Sequence, residues 1–417
     1  MSVNPIERSY SLRDAEAALM SVLDKLGYNY EFQQVGEFAV TCKCIIKDKT
    51  SDIFLSSGNG KGDLTASRVG SLFEATEHLF SRYDFLNFEK ITYLNTLYFC
   101  QNNTMCDNLP LIILKNTENT EIPFLKYTAV NGIKDCYYPL ALSCPSYIDS
   151  LSDNGPLKKM DSFNYERLEH YSSNSGTAIG MNREEAIIHG LLENIERNSL
   201  SNFLTKTFLL NEKKHLKVIN SLTLPLSISD LFIRIEKELD SKVYIFEMSN
   251  KFGIPAYCSW MEQHESKIGF AGYGCSLSVE NAILRSLNEL AQYFLLSKHI
   301  HGFDRLRDLD EDTLSQLEGL PYHQDCAKFN LKAKFSEFDY KSIHFEDLAK
   351  LQFSNNPKKY LAQLTDIIYS NGEVPFASEL NIIGNGINII HTFITGEDRF
   401  FNVRNGKAAF PISLESA

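Results

Sequence analysis

The chain has 417 residues, of which 43% are hydrophobic and 23% charged, with a formal net charge of −12 at pH 7. These values are typical of a globular protein with a large core, and the acidic balance argues against nucleic acid as the main partner. No apolar run approaches the ~20 residues needed to cross a bilayer, and the start has no signal-peptide pattern.

The first half of the chain alternates between predicted helices and strands. An amphipathic helix is predicted over residues 11–27, followed by strands in "FAVTCKCIIK" and "DIFLSSG". A glycine loop, "GNGKGD", then enters a second helix. The apolar runs "LPLIIL" and "YYPLALS" are predicted to be strands.

The second half continues the alternation. A small-residue loop, "SSNSGTAIGMN", enters a helix, the segments "KVYIFEMS" and "IPAYCSWM" predict a pair of strands, and "IGFAGYGC" predicts a third loop before a helix. A helix around 357–369 and strands in "NIIHTFI" and "RFFNVR" follow. No linker divides the chain, so we predict one α/β (mixed α+β) domain over 1–417, with parts 1–160, 161–300 and 301–417.

The nine cysteines are scattered, and none is arranged as CxxC or with zinc-site spacing. The odd number and the absence of a secretion signal favour reduced thiols and a cytoplasmic location. Cys42 and Cys44 alternate as in a strand, which predicts that they share one face.

Each of the three loop-helix units carries polar side chains three residues apart on a helix that is otherwise apolar. The aligned pairs are Glu74 and Glu77, Glu193 and Glu196, and Glu289 and Gln292. Residues at i and i+3 share one face of a helix, and an unpaired buried carboxylate costs several kcal/mol. The pattern therefore predicts that cations neutralise these faces.

Mg²⁺ prefers carboxylate oxygens, water and substrate phosphates, and arginines such as Arg197 and Arg285 are suited to phosphate oxygens. The pattern predicts a Mg²⁺–nucleotide site without a P-loop, since "SSGNGKGD" fits neither GxxxxGK[ST] nor GxGxxG. Two simpler interpretations stay open at this point. An ExxE pair can be a solvated face, and the arginine after it can form an internal salt bridge.

The segments "SSGNGKGDLTASRVGSLFEATEHLFSRY", "SSNSGTAIGMNREEAIIHGLLENIER" and "GYGCSLSVENAILRSLNELAQ" resemble the three ATP-site segments of the YcaO family. The resemblance spans about residues 8–295 and keeps order and spacing. It implies the YcaO fold, in which mixed and antiparallel sheets pack with helices and three glutamate-bearing helices line an ATP site. It also implies ATP and Mg²⁺ as cofactors.

Family motifs carried over position by position imply a set of site residues, although no catalytic side chain is assigned. The residues implied to bind the nucleotide and its metal are Arg8, Ser71, Glu74, Glu77, Glu185, Glu193, Glu196, Arg197 and Arg285. Those implied to hold Mg²⁺ are Glu74, Glu77, Glu193 and Glu196.

YcaO proteins use ATP to activate a backbone amide oxygen, which implies a cyclodehydratase that forms azolines from Cys, Ser or Thr of a ribosomally synthesised precursor peptide. Two alternatives are a thioamidation enzyme with a sulfur-donor partner and a non-catalytic binding or scaffold protein with a degraded ATP site. The implied partners are the precursor peptide, a separate leader-binding or sulfur-handling protein, and a second copy in a homodimer.

The sequence departs from the family pattern at several positions. Met181 stands where an asparagine is expected to touch the nucleotide, Ala178 replaces a serine or another small residue, and His78 replaces an arginine. Azoline-forming members end in a proline-rich tail, whereas this chain has only Phe410–Pro411 and then "ISLESA".

Overall fold

The computed structural model describes residues 5–102, 109–116, 119–151, 161–212, 216–262, 266–332, 334, 340–384 and 386–412. The strands within these ranges are β1 (Tyr28–Val35), β2 (Val40–Asp48), β3 (Phe54–Gly62), β4 (Ile91–Asn95), β5 (Glu121–Ala129), β6 (Asp135–Pro139), β7 (Thr177–Gly180), β8 (Lys217–Ile219), β9 (Val243–Glu247), β10 (Ala256–Met261), β11 (Ala271–Cys275), β12 (Lys341–Ile343), β13 (Pro375–Ile383) and β14 (Ile387–Ile394).

The helices in the same ranges are α1 (Leu12–Leu26), α2 (Leu64–Phe80), α3 (Thr96–Asn102), α4 (Leu109–Lys115), α5 (Leu140–Ser143), α6 (Pro145–Ser150), α7 (Glu166–Glu169), α8 (Arg183–Leu204), α9 (Leu226–Leu239), α10 (Val279–Leu296), α11 (Phe303–Ser315), α12 (Pro321–Lys328) and α13 (Pro357–Ser370). A 3₁₀ turn covers Phe400–Asn405.

The strands form three sheets. An antiparallel sheet has the order β1-β2-β3, and a second has the order β11-β10-β9-β8-β12, in which only β8 and β12 are parallel. A third, antiparallel sheet has the order β4-β5-β13-β14-β7, with β6 beside β5. The predicted mixture of antiparallel and mixed sheets packed with helices is confirmed.

Glycines let two helices lie directly on the strands that precede them. A Cβ added at Gly60 of β3 would lie 1.7 Å from the Ser67 carbonyl oxygen of α2, and one at Gly272 of β11 would lie 2.1 Å from the Leu290 nitrogen of α10. Such distances exclude any side chain, so glycine is needed where a helix backbone touches a strand.

The predicted loops before the three helices are wrong in part, because "GNGKG" lies in β3, "TAIG" is β7 and "AGYGC" is β11, whereas residues 172–176 before β7 are not in a strand. The predicted strand "LPLIIL" is helix α4, "YYPLALS" is a strand only up to Pro139, and "RFFNVR" lies mostly in the 3₁₀ turn. Short apolar runs have no period that separates a strand from a buried helix.

Other sequence predictions are confirmed. Helices α1 and α13 and the antiparallel pair β9 and β10 lie where they were expected. Cys42 and Cys44 are both fully buried, and the eight cysteines within the described residues are all free thiols, whereas Cys106 lies outside them. No helix in the described ranges has the length and apolar composition required to cross a membrane.

Candidate functional site

Helices α2, α8 and α10 and the N-terminal segment surround a cavity of about 820 Å³. Eight of the nine predicted nucleotide-site residues line it, namely Arg8, Glu74, Glu77, Glu185, Glu193, Glu196, Arg197 and Arg285. Ser71 is not among the lining residues. Its side chain is fully buried, and its hydroxyl donates to the Arg68 carbonyl at 2.8 Å, so its contact is structural.

Helix α8 brings its carboxylates to the cavity because its start and its packing are both fixed. Asn182 caps the helix, since its side-chain oxygen accepts the Glu185 N–H at 3.0 Å. A Cβ at Gly190 would lie 2.5 Å from the Gly176 carbonyl oxygen. The opposite face is thus held close to its neighbours, and the acidic face is turned to the cavity.

The N-terminal segment supplies a carboxylate that sequence reasoning missed. Glu7 is only 2% exposed, and its Oε2 lies 2.5 Å from Nη2 of Arg285. Its Oε1 accepts hydrogen bonds from the Ser276 and Tyr360 hydroxyls, each at 2.7 Å. Glu7 is fully satisfied by these partners, and its only sequence signal is that it precedes Arg8.

Glu185 is likewise satisfied within the protein. It accepts the Ser9 N–H at 2.6 Å and the Met181 N–H at 3.2 Å, and it lies 3.9 Å from the Arg8 guanidinium. Arg8, the only predicted site residue from the N-terminal segment, thus reaches the cavity beside Glu185.

Lys61 and Glu289 form a third satisfied pair, and neither was predicted to be a site residue. The Lys61 ammonium is bonded to the Glu289 carboxylate, which also accepts the Tyr273 N–H at 3.3 Å. Burial acts to raise the pKa of Glu289, but Lys61 and Arg197 outweigh it and hold the pKa below its usual value. In the sequence, the feature that indicates Lys61 is the "NGKG" segment that contains it.

The central carboxylates are satisfied less well. Burial, together with the neighbouring charges of Glu193 and Glu74, raises the pKa of Glu77 well above its ordinary value. Burial also raises the pKa of Glu193 and raises that of Glu196 to about 7, where the Glu289 charge adds to the effect. The charges of Arg197 and Lys61 oppose this effect at Glu193 and Glu196, but they do not cancel it.

The contacts of the central carboxylates are few. Glu77 accepts the Ile179 N–H at 3.0 Å, and Glu193 accepts the Gly176 N–H at 3.3 Å. The Arg197 Nε lies 3.8 Å from the Glu193 carboxylate, too far for a hydrogen bond. Glu74 lies 4.0 Å from His78 across one helical turn, and burial raises its pKa as well.

Several polar atoms on the cavity wall are free to bind a ligand. Within the described part of the chain, Asn59 Oδ1, His189 Nδ1 and Arg197 Nε are buried and have no hydrogen-bond partner. Burial, with the charges of Arg8 and Arg285, lowers the pKa of His189 well below its ordinary value, so its ring is neutral. A polar ligand would satisfy these atoms.

The carboxylates in the cavity are suited to a metal ion that binds together with a nucleotide. No group of three acidic, histidine or cysteine side chains in the described ranges is arranged to hold a metal ion by itself. Mg²⁺ is usually bound through one or two carboxylates together with water and substrate phosphates, so it does not require such a group. Carboxylates with raised pKa values beside Arg197 are consistent with that mode.

The departures from the family pattern can be located in the structure. Met181 lines the cavity, whereas Asn182 caps α8 and donates to the Ser9 hydroxyl at 3.0 Å. Ala178 is fully buried in β7. The tail packs on the body through the Phe410 N–H, which donates to the Tyr171 hydroxyl at 3.0 Å. Residues 406–412 do not line the cavity, and 413–417 lie outside the described residues.

Comparison with protein families gives one match over most of the chain. The model for the YcaO cyclodehydratase family, described as ATP- and Mg²⁺-binding, matches residues 59–396. Arg8 lies outside the matched range. Comparison with curated protein sequences gave no match.

Three solved structures share the fold at low sequence identity. YcaO from Methanopyrus kandleri, bound with AMPPCP and Mg²⁺, is 18% identical with a TM-score of 0.67 over 98% of this chain and 97% of that one. A heterocyclase in complex with substrate and cofactor is 14% identical with a TM-score of 0.63 over 95% and 54%. The E. coli microcin synthetase McbBCD complex is 14% identical with a TM-score of 0.53 over 87% and 86%.

Proposed function

The chain belongs to the YcaO family, whose ligands are ATP and Mg²⁺, and from that premise we propose that it uses both to activate backbone amides of a peptide. The product is an azoline formed by cyclodehydration of a Cys, Ser or Thr residue in a ribosomally synthesised precursor. The observation that carries the proposal is that four central carboxylates, from α2 and α8, line one cavity together with the half-buried guanidinium groups of Arg197 and Arg285.

In this proposal the central carboxylates hold Mg²⁺, and the nearby guanidinium groups contact phosphate oxygens. The metal ligands are Glu74, Glu77, Glu193 and Glu196, and the phosphate contacts are Arg8, Arg197 and Arg285. Bound Mg²⁺ neutralises phosphate charge and so assists phosphoryl transfer. The satisfied carboxylate of Glu185 accepts a hydroxyl or amino group of the nucleotide.

The cavity favours a reaction whose nucleophile comes from the substrate. Cys275 is a thiol on the cavity wall, but burial, with the nearby Glu196 charge, raises its pKa well above the ordinary value. A thiol of that kind stays protonated and unreactive. Phosphoryl transfer to an amide oxygen asks mainly for positioning and charge neutralisation, which the glutamates and arginines offer.

A separate protein that captures the precursor's leader is part of the proposal. The E. coli microcin synthetase with a similar fold is a complex of several proteins. Peptide recognition by such a partner would leave the cavity free for the nucleotide and the reacting amide.

Mass spectrometry of peptides after incubation with Mg²⁺-ATP tests the reaction. We expect loss of one water for each azoline, and replacement of oxygen by sulfur would indicate thioamidation instead. Glu196→Gln is the control, and it should lose both nucleotide binding and conversion. Nucleotide binding that is unchanged by Glu196→Gln would remove the site assignment, and a wild-type protein that binds no nucleotide would indicate a scaffold.

A further inference from the structure

The cavity extends along helix α10. Hydrogen bonds between α10 and β11 show in which order the residues of this wall follow one another. Arg285 donates to the Cys275 carbonyl at 2.8 Å, and one turn further along α10 Glu289 accepts the Tyr273 N–H at 3.3 Å. Ala271, at the start of β11, lines the far end. The lining positions of α10 extend over residues 281–296, which corresponds to about 22 Å.

The two ends of this wall differ in chemistry. Arg8, Glu185 and Arg285 line one end, and the central carboxylates follow. Beyond the centre most of the lining side chains are apolar or aromatic, although Gln292 and Arg404 line this part as well. These side chains, which we call the apolar end, are Leu200, Ile268, Tyr293, Leu296 and Phe401.

The apolar end adjoins the centre directly. Leu200 is one helical turn beyond Glu196 on α8, and Tyr293 is one turn beyond Glu289 on α10. The Arg197 guanidinium carbon lies 5.6 Å from the centroid of the Phe401 ring. A ligand group bound at the centre therefore lies beside an apolar surface.

The arginine at the apolar end is already used by the protein. Arg404 donates to the carbonyls of Ala327 and Gly269 and lies over the Phe329 ring, with its guanidinium carbon 4.6 Å from the ring centroid. It is thus held in place for structure and not for phosphate. Asn288 lines the wall near the centre, and its side-chain amide matches the donors and acceptors of a peptide group.

We propose that the apolar end binds a large aliphatic or aromatic side chain of the peptide substrate, next to the residue whose amide is activated. This inference rests on the proposed function, because it takes the reacting amide to lie at the central carboxylates. An extended peptide advances at most about 3.6 Å per residue, so a neighbouring side chain reaches the apolar end. Burial of that side chain removes apolar surface of both partners from water.

Equilibrium binding of two fluorescent peptides tests the proposal, with the full chain saturated with Mg²⁺ and a non-hydrolysable ATP analogue. The peptides carry a single Cys and differ only in the residue before it, Phe or Asp. We expect the Phe peptide to bind on the order of ten- to a hundredfold more tightly. Tyr293→Ala should reduce that ratio several-fold, and Phe401→Leu, which keeps an apolar group, should reduce it less.

Tyr322→Ala is the matched control, because this tyrosine is 60% exposed on α12 and does not line the cavity. Equal binding of the two peptides would overturn the proposal. So would weaker nucleotide binding by Tyr293→Ala, since the apolar end would then hold the nucleotide base. Failure of the proposed function itself gives a different result, because the wild-type protein would then bind no Mg²⁺-nucleotide.

Discussion

Two groups of glutamates lie in or beside one cavity and differ in what neutralises them. Glu7, Glu185 and Glu289 each have a cation of the protein or several hydrogen-bond donors at short distance. Glu77 and Glu196 have raised pKa values and few partners. The first group completes the protein's own structure, whereas the second is left for a cation from outside.

The difference separates carboxylates that the protein itself neutralises from carboxylates that we propose bind Mg²⁺. A buried ion pair loses several kcal/mol when one partner is removed, because the other charge stays without compensation. A buried carboxylate without a cation has the opposite effect, since its charge already destabilises the folded protein. Charge removal should therefore change stability in opposite directions in the two groups.

The largest effect is expected for Glu7→Gln. The change leaves the Arg285 guanidinium without its carboxylate, so the free energy of unfolding should fall by about 3 kcal/mol, measured by urea denaturation without ligand. Glu184→Gln is the matched control, because Glu184 pairs with exposed Lys358 at 3.8 Å and should change stability by less than about 0.5 kcal/mol. Equal stability of Glu7→Gln and wild type would show that the N-terminal segment does not hold Arg285.

Glu77→Gln should have the opposite effect on the protein without ligand. A glutamine oxygen can still accept the Ile179 N–H, and the unfavourable charge is removed. We expect the free energy of unfolding at pH 8 to rise by about 1 kcal/mol, and the affinity for Mg²⁺-nucleotide to fall by roughly tenfold or more. Urea denaturation and calorimetric titration measure the two changes. A loss of stability in this variant would place Glu77 in the satisfied group.

The pH dependence of stability tests the comparison at a single residue, Glu196. The pKa of Glu196 is raised to about 7 from 4.5, so its proton stabilises the folded state at low pH. That contribution is lost as the pH rises from about 4.5 through about 7. The full difference in pKa would correspond to about 3 kcal/mol. Because Glu196 is only half-buried, we expect the free energy of unfolding to fall by about 1 kcal/mol.

The ligand should show the reverse dependence on pH, because Mg²⁺ binds the ionised carboxylate. Calorimetric affinity for Mg²⁺-nucleotide should rise roughly tenfold between pH 5.5 and pH 8. Glu196→Gln should remove this group's share of the stability trend, and it should bind nucleotide too weakly for its affinity to be followed with pH. An affinity that is independent of pH in the wild type would contradict the assignment of Glu196 as a metal ligand.

The pattern in the sequence predicted those site residues that lie close to one another along the chain. Glu193 and Glu196 share a helical face because they are three residues apart, so their pattern is visible in the sequence. The cations that neutralise Glu7 and Glu289 are distant from them in the sequence. Glu7 and Arg285 are separated by 278 positions, and Lys61 and Glu289 by 228. Only the fold brings these pairs together, so no pattern in the sequence could indicate them.

The same reason explains the errors in the predicted fold. Gly60 and Gly272 were interpreted as parts of loops, because glycine is rare inside strands. Each instead allows a helix backbone to touch the strand, and that contact exists only after the helix has folded back. Helices α1 and α13 were predicted correctly because their apolar period extends over several turns.

The smallest effect is expected for Met181→Asn, which restores the asparagine of the family pattern at a position that lines the cavity. The Met181 N–H donates to the Glu185 carboxylate, and a change of side chain leaves this backbone hydrogen bond in place. One added hydrogen bond from the side chain should strengthen nucleotide binding by roughly three- to tenfold, measured by calorimetric titration. Met181→Leu is the control, because it keeps an apolar side chain and should leave the affinity unchanged. Equal affinity of the two variants would show that the side chain at position 181 does not contact the nucleotide.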